Sequence, residues 1–478
     1  MSTPELRDAG KSEGKSAGES RSEHAGHMSL EGMHSSVAVP HHGAGFWRQW
    51  IAFSGPAVLI SIGYMDPGNW GTDLSGGASY KYDLLWVVAL ASVMAIFLQV
   101  LSARLGVVTG KDLAQCCRDW YPKWTRWPNW ILCELAIGAC DLAEVLGSAV
   151  AINLLFHVPL FWAVIITAAD VFVLLALQRY GMRKIESVAL VLVSTIAVCY
   201  FIEIFVIPAT KPSFMEMGKA LLTPGFRQVG MIGVAIGIIG ATVMPHNLYL
   251  HSALVQSRRF QKDDKAVGTA IRFNTIDSVV ALAIAFFINA AILVLAAMVF
   301  YGKSSVVVPG GQVVTFGDGT DWIRMAYLTL APLLGVAAAS PLFAIALLAS
   351  GQASTITGTL AGQVVMEGFM HWKLTPWARR LVTRLLAILP AILVIGIRGE
   401  KSSVNELLNL SQVGLALQLP FAMFPLLHFT SSRKRMGKWR SGWFLLITGW
   451  SSAILITVLD IVGLPESLRD AWHVITGG

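Results

Sequence analysis

The sequence predicts an all-α polytopic membrane protein with about eleven transmembrane helices and a five-plus-five inverted-repeat core whose helices 1 and 6 are broken. Three observations predict it: an apolar composition, apolar runs of bilayer-spanning length, and a proline break that occurs twice. Of the 478 residues, 55% are hydrophobic and 14% are charged, whereas soluble proteins carry about 25% charged residues. The composition therefore excludes a soluble protein.

Apolar runs long enough to cross a bilayer predict the spans 47–78, 83–108, 129–156, 160–178, 184–208, 228–256, 272–301, 334–369, 379–398, 406–428 and 441–462. A short outer-surface helix is predicted at 321–332, and the small polar run GQASTITGTLAGQ could split span eight. The predicted regions are a disordered cytoplasmic tail (1–45), a first repeat with spans one to five (46–208), a second repeat with spans six to ten (209–430), and an eleventh span with a short C-terminus (431–478).

Charge patterning predicts the orientation. Predicted inner loops carry roughly 21 Lys and Arg residues, with Arg384 counted among them, against roughly 9 on the outer side. This bias predicts a cytoplasmic N-terminus and an outer C-terminus, and it explains the net charge of +7 without a nucleic-acid partner. The tail lacks an apolar signal segment. Its histidines could buffer metal, but a solvated low-complexity tail is the favoured interpretation.

One sequence motif occurs twice and predicts the architecture. Span one contains GYMDPGNWG, and span six contains GATVMPHNLYLHS. The quartets Asp66-Pro67-Gly68-Asn69 and Met244-Pro245-His246-Asn247 align as x-Pro-x-Asn breaks. Because the two spans are five apart in order, they cross the membrane in opposite directions. Paired broken helices of this kind predict a binding site near the bilayer midplane.

The breaks create a set of acceptors. Proline lacks an N–H, so Pro67 frees the carbonyl of Gly63 and Pro245 frees that of Ala241. The groups offered are the Asp66 carboxylate, the Asn69 amide oxygen, the Met244 sulfur and the carbonyls of Gly63 and Ala241. Acceptors with one negative charge predict a cation, and the soft sulfur favours Mn²⁺ or Fe²⁺ over Mg²⁺ or Ca²⁺. Against this, Met244 could be packing filler, and Asn69 could only cap a half-helix.

A second polar group lies in span three. Asp141 and Glu144 are three residues apart on one helix face. Histidine changes charge near neutral pH, and His246 follows the second break. Arg379 and Arg380 open span nine and could pair with Asp141. The residues alone leave open whether these groups form a static salt-bridge cluster or a proton path from Asp66 to the cytoplasm.

The motif pair DPGN and MPH resembles the Nramp family of divalent-metal transporters. The likeness continues through GPAVLISIGYMDPGN, ELAIGACDLAEVLG, GTLAGQVVMEGF and LSQVGLALQLPFA, and so covers nearly all of the chain after the tail. It implies a LeuT/APC-type core and import of Mn²⁺, Fe²⁺ and similar ions with protons by alternating access. It also implies a bacterial inner-membrane location, no cofactor, no enzymatic activity, and transport by a single chain.

Carried over by residue, the resemblance implies metal ligation by Asp66, Asn69, Met244, Gln412 and the carbonyls of Ala241 and Gly63. It implies a proton path through Asp66, His246, Asp141, Glu144, Arg379 and Arg380, and helix breaks at Pro67, Gly68 and Pro245. Met244 argues against the magnesium- and aluminium-transporting relatives. One departure is Ser75-Gly76-Gly77, where the family often has Gln-Ala-Gly.

Three rival functions remain at this stage. A cation-coupled symporter of amino acids or other small organic solutes would share the fold, but Asp66 would repel a substrate carboxylate. A membrane metalloenzyme would need clustered His or acidic ligands, and the chain has no HExxH. A metal-sensing receptor is distinguished only by flux measurements.

Overall fold

Long apolar helices make up most of the structure, which is a computed structural model. It describes residues 29–30, 33–40, 44–169, 180–206, 211–228, 230–260, 263–307, 313–316, 320–334, 337–372, 378, 381–382, 384–385, 388–389, 391–393 and 404–476. In this part of the chain, eight helical segments are long and apolar enough to cross a membrane. The helices are α1 (Phe46–Phe53), α2 (Pro56–Gly63), α3 (Pro67–Tyr80), α4 (Leu85–Thr109), α5 (Leu113–Trp120), α6 (Arg126–Phe156), α7 (Leu160–Thr167), α8 (Met182–Phe201), α9 (Phe214–Leu222), α10 (Met231–Thr242), α11 (Pro245–Leu254), α12 (Asp264–Val299), α13 (Trp322–Leu334), α14 (Ala339–Met370), α15 (Val404–Ser431), α16 (Arg433–Met436) and α17 (Trp443–Thr476).

Short strands complete the regular structure. The strand β1 (Val37–Ala38) pairs in parallel with β2 (Arg258–Arg259), and β3 (Ser305–Val307) pairs antiparallel with β4 (Val313–Thr315). The first pair joins the N-terminal segment to the loop that follows α11. A segment close to the N-terminus is thus fixed to the helical bundle.

Most predicted spans correspond to helices. Spans two, three, five, seven, ten and eleven are covered by α4, α6, α8, α12, α15 and α17. Span eight is not split, because α14 is continuous, and the short helix predicted at 321–332 is α13. Residues 170–179 of span four and most of span nine (379–398) lie outside the described residues. The total of eleven spans and the repeat boundaries therefore stay predictions.

Both predicted breaks occur. In span one, α2 ends at Gly63 and α3 begins at Pro67, with Asp66 as its N-cap. In span six, α10 ends at Thr242, and α11 begins at Pro245. The half-helix α2 packs against α11, and α3 packs against α10. Such crosswise contact is what two antiparallel broken helices would make in an inverted repeat.

Span one has another break that was not predicted. The helix α1 ends at Phe53, Gly55 adopts φ +131°, and Pro56 begins α2. A positive φ of this size is open to glycine and strained for other residues. The prediction of one span from 47 to 78 is therefore wrong at its start: α1 is a separate short helix.

The helix α6 packs against the first break. Gly147 lies so close to Pro67 that a Cβ at position 147 would overlap the proline ring. The same helix packs along α14. Glycine at position 147 is thus a requirement of close packing between α6 and the break.

We expect Gly147→Ala to destabilise the protein by about 1–3 kcal/mol, because the added methyl group must displace Pro67. The measurement is the apparent melting temperature in detergent. Gly138→Ala, on the same helix with open space around the new Cβ, is the matched control and should leave the melting temperature unchanged or slightly higher. Equal melting temperatures for the two variants would contradict the packing argument.

Candidate metal site

The first break is organised by its own side chains. Asp66 is fully buried, and its Oδ1 accepts a hydrogen bond from the backbone N–H of Asn69 at 2.9 Å. The side-chain amide of Asn69 donates to the carbonyl of Tyr64. Asp66 therefore acts as the N-cap that starts α3, since a carboxylate accepts the unpaired N–H groups of a first helical turn.

Side chains satisfy two backbone carbonyls at the first break, those of Tyr64 and Met65. The carbonyl of Tyr64 accepts a second bond from Asn289 Nδ2 on α12 at 2.8 Å. The carbonyl of Met65 accepts from Trp70 Nε1 at 3.3 Å and from the hydroxyl of Ser350 on α14. Unpaired backbone carbonyls are tolerated within a membrane only when protein or water satisfies them. Hydrogen bonds to α12 and α14 therefore stabilise the break.

Met244 begins the second half of span six. Its side chain is fully buried beside Ala136, Cys140 and Leu415. The sulfur accepts a weak bond from Asn247 Nδ2 at 3.6 Å. The thiol of Cys140 donates a weak hydrogen bond to Glu144 Oε1 at 3.6 Å. Cys140 therefore neighbours Met244 and contacts the carboxylate of Glu144.

The two breaks converge. A Cβ on Gly63 would overlap the side-chain amide of Asn247, and a Cβ on Gly68 would overlap that of Gln412. The backbone carbonyl of Gln412 in turn lies against Gly240 on α10. Gln412 on α15 therefore touches both broken spans, and glycine at each contact allows the close approach.

Several acceptors at this junction have no hydrogen-bond partner among the described residues. They are Asp66 Oδ2, Asn69 Oδ1, Asn247 Oδ1 and Gln412 Oε1. An unsatisfied buried acceptor costs about 1–3 kcal/mol. The carbonyls of Gly63 and Ala241 face a proline four residues later and so lack the usual helical donor. A set of acceptors without donors is suited to a desolvated cation.

The carboxylates of α6 contact a basic residue other than the predicted ones. Arg384 donates to Asp141 Oδ1 at 2.6 Å and lies 3.8 Å from Glu144 Oε2. The hydroxyl of Thr355 also donates to Glu144 Oε2, at 3.1 Å. Counting Arg384 among the inner-loop residues was wrong, because its side chain is buried in this cluster. Arg379 and Arg380 lie outside the described residues.

The two histidines of α11 differ in their contacts. His246 is buried, and neither ring nitrogen has a hydrogen-bond partner in the described part of the chain. His251 Nδ1 pairs with Gln99 Oε1 at 2.9 Å, and Gln99 Nε2 donates to the Tyr64 hydroxyl at 2.8 Å. A network not predicted from the sequence therefore runs from His251 to the first break. A role for His246 in proton transfer stays a prediction.

Other residues near the breaks were not assigned to the site from the sequence. Asn289, Ser350 and Thr355 come from distant parts of the sequence, and small polar residues are common in membrane helices. Asp73 lies two turns after Asp66 on α3, is buried, and has an unpartnered Oδ2 among the described residues. An ionisable residue inside a span is a signal of function, and that signal alone could have identified Asp73.

Comparisons with known proteins agree with this geometry. The profile of the family described as Natural resistance-associated macrophage protein-like matches residues 57–465. The divalent metal cation transporter MntH of Nostoc sp. is 49% identical over 447 residues, which cover 92% of this chain and 96% of that protein. MntH of Bradyrhizobium diazoefficiens is 47% identical over 444 residues, covering 92% and 94%. These relatives are named as transporters and not as enzymes.

Solved structures give the same result. The crystal structure of the Eremococcus coleocola manganese transporter in complex with an aromatic bis-isothiourea substituted compound has a TM-score of 0.81 and 38% identity, and covers 92% of this chain and 91% of that chain. Mhp1, a nucleobase-cation-symport-1 family transporter in a closed conformation, has a TM-score of 0.57 and 13% identity, covering 92% and 95%. The second likeness concerns the fold alone. The predicted fold class and the resemblance to the Nramp family are confirmed.

Proposed function

Because this chain belongs to the Nramp family, we propose that it is a secondary active transporter that imports divalent transition-metal ions together with protons. Mn²⁺ and Fe²⁺ are the proposed cargo. The proposed membrane is the bacterial inner membrane, with the N-terminus in the cytoplasm. The names of the relatives support metal transport, and the motifs of this chain support the cargo.

One observation carries the proposal: the two helix breaks bring buried acceptor atoms together without donors. Asp66 Oδ2, Asn69 Oδ1 and Gln412 Oε1 have no hydrogen-bond partner among the described residues. Met244, buried beside Cys140, adds a soft sulfur. Oxygen ligands with one thioether favour Mn²⁺ or Fe²⁺ over Mg²⁺ and Ca²⁺, which prefer all-oxygen shells.

Asp66 links the metal to the proton in this proposal. A cation beside Asp66 favours the ionised carboxylate and hence the loss of its proton. The carboxylates of Asp141 and Glu144 are the proposed acceptors of the released proton, because Cys140 packs beside Met244 and its thiol donates to Glu144 Oε1 at 3.6 Å. Movement of one repeat against the other would then expose the site to each side in turn.

The direct test is Mn²⁺ uptake into proteoliposomes by the Asp66→Asn variant. Asparagine is also a good N-cap, so α3 should still form while the charge is lost. We expect uptake to fall to the level of protein-free liposomes. Asp264→Asn removes a carboxylate that pairs with Lys438 at an exposed site, and this control should transport like the parent. Parent-like uptake by Asp66→Asn would overturn the proposed site.

Met244→Ala tests the sulfur ligand. Loss of the thioether should remove the preference for transition metals, so excess Mg²⁺ or Ca²⁺ should inhibit Mn²⁺ uptake far more strongly than in the parent. Competition curves measure this. Met94→Ala, at another buried methionine in α4, should keep the parent selectivity. If both variants discriminate as sharply as the parent, the sulfur is not a ligand.

Glu144→Gln tests the separation of proton and metal roles. Glutamine keeps the size of the side chain and can still accept from Thr355, so we expect Mn²⁺ affinity close to that of the parent. Metal-driven acidification, followed with an internal pH dye, should be strongly reduced because the titratable group is gone. Glu134→Gln, on the same helix, is the control. Equal losses of metal binding and proton movement would contradict the proposed separation of the proton and metal roles.

A further inference from the structure

The joint between α1 and α2 is clamped by side chains from other elements. The carbonyl of Ser54 accepts from Arg183 Nη1 at 2.9 Å and from Arg258 Nη2 at 2.6 Å. The backbone N–H groups of Gly55 and Ala57 donate to Asp277 Oδ2 at 3.2 and 3.0 Å. Both the Ser54 carbonyl and the backbone N–H groups of Gly55 and Ala57 are therefore fixed by side chains from other elements.

Glu186 ties the two arginines together. It accepts from Arg183 at 3.2 Å and from Arg258 at 2.7 Å, and the side chain of Arg258 is fully buried. The carboxylate of Glu186 fills the space that a Cβ on Gly55 would need. A buried ion pair keeps its geometry because removing one partner strands the other charge. Arg183, Glu186 and Arg258, together with Ser54 and Asp277, are called the clamp below.

A segment near the N-terminus lies against the same place. Residues 29–30 and 33–40, called the strap below, include β1, which pairs with Arg258 and Arg259. The N–H of Ser35 donates to the carbonyl of Gln256 at 3.1 Å. The N–H of Leu30 donates to Glu367 Oε2, near the end of α14, at 2.8 Å. The strap therefore bridges the loop after α11 and the end of α14.

The strap is held by apolar burial as well as by hydrogen bonds. Leu30 and Val37 are buried in the main core of the bundle, and Val39 packs on the smaller cluster that contains Phe53. Ala38, between the two valines, is exposed. This alternation gives the strap one docked face and one free face, as expected for a short strand on a core.

We propose that the strap latches the cytoplasmic side of the transporter closed, by holding Arg258 in the clamp on Ser54. The backbone of Arg258 pairs with the strap while its side chain binds Ser54 and Glu186. One residue thus connects the N-terminal segment to α2, the half-helix that leads to Asp66. Separation of α11 from α14 at this end would require release of the strap from one of them.

Hydrogen–deuterium exchange of the full-length protein, without metal, tests the latch. Val37→Asp places a charge on the docked face and should raise exchange several-fold in the strap, in α2 and in the segment that follows α11. Ala38→Asp places the same charge on the free face and should leave exchange at the parent level. If Val37→Asp frees the strap while α2 exchanges as in the parent, the strap is passive and the proposal is wrong.

A deletion variant tests the latch independently of the substitution at Val37. Deletion of residues 1–40 should also raise exchange in α2, and a synthetic peptide of residues 29–40 should restore protection there. The latch would be overturned if α2 stays protected from exchange after the deletion. It would also be overturned if exchange in α2 stays raised after saturating peptide is added. No step of this experiment uses the cargo, so failure of the proposed metal transport would not affect its outcome.

Discussion

Two prolines on opposed spans impose the constraint on which the rest of the structure depends. Each removes a backbone donor and ends a half-helix inside the bundle, so carbonyls that would be paired in a regular helix must find other partners. Asn289 and Ser350 satisfy two of them from α12 and α14. Asp66 starts the next half-helix as its N-cap. The carbonyls of Gly63 and Ala241, which lose their helical donors to the two prolines, belong to the proposed metal site.

Close packing around the breaks is a second consequence. The half-helices can meet only where side chains are absent, and glycines occupy the contacts with Pro67, Asn247 and Gln412. In a membrane, small residues allow helices to approach closely and gain packing where no hydrophobic driving force exists between them. The glycines near the breaks therefore allow the close approach of the broken spans, and a methyl group added at Gly68 would overlap the side-chain amide of Gln412.

The sequence predicted those features whose causes are local. A proline inside an apolar run specifies a helix interruption within a few positions, so both breaks were predicted. The cap was considered at Asn69, whereas the structure has Asp66 as the N-cap and Asn69 as its donor. The pairing of Asp141 with Arg384 joins residues 243 positions apart, and no local pattern specifies it. The break at Gly55 was missed although Gly55-Pro56 is a turn signal, because the apolar run continued across it. The contact of Asp277 with the backbone amides of Gly55 and Ala57 likewise joins distant residues and has no local sequence signal.

The clamp and the site use opposite electrostatic arrangements, and the difference fits their positions. At the clamp Arg183 and Arg258 pair with Glu186, and Asp277 accepts from backbone amides, which fits a proposed latch that stays closed without cargo. When the proposed latch opens, water can solvate the separated charges, so that release leaves no group stranded in hydrocarbon. At the breaks, Asp66 and its neighbours are left with free acceptors, because an internal donor would compete with the ion. Full pairing of the acceptors would give a more stable bundle with no affinity for a cation, whereas unpaired charges at the clamp would let α2 open whether or not the site is filled. In this chain the ion pairs with Glu186 lie at the clamp and unpartnered acceptors lie at the breaks, which fits the proposed latch and the proposed metal site, and Arg258 Nε is the clamp atom without a partner among the described residues.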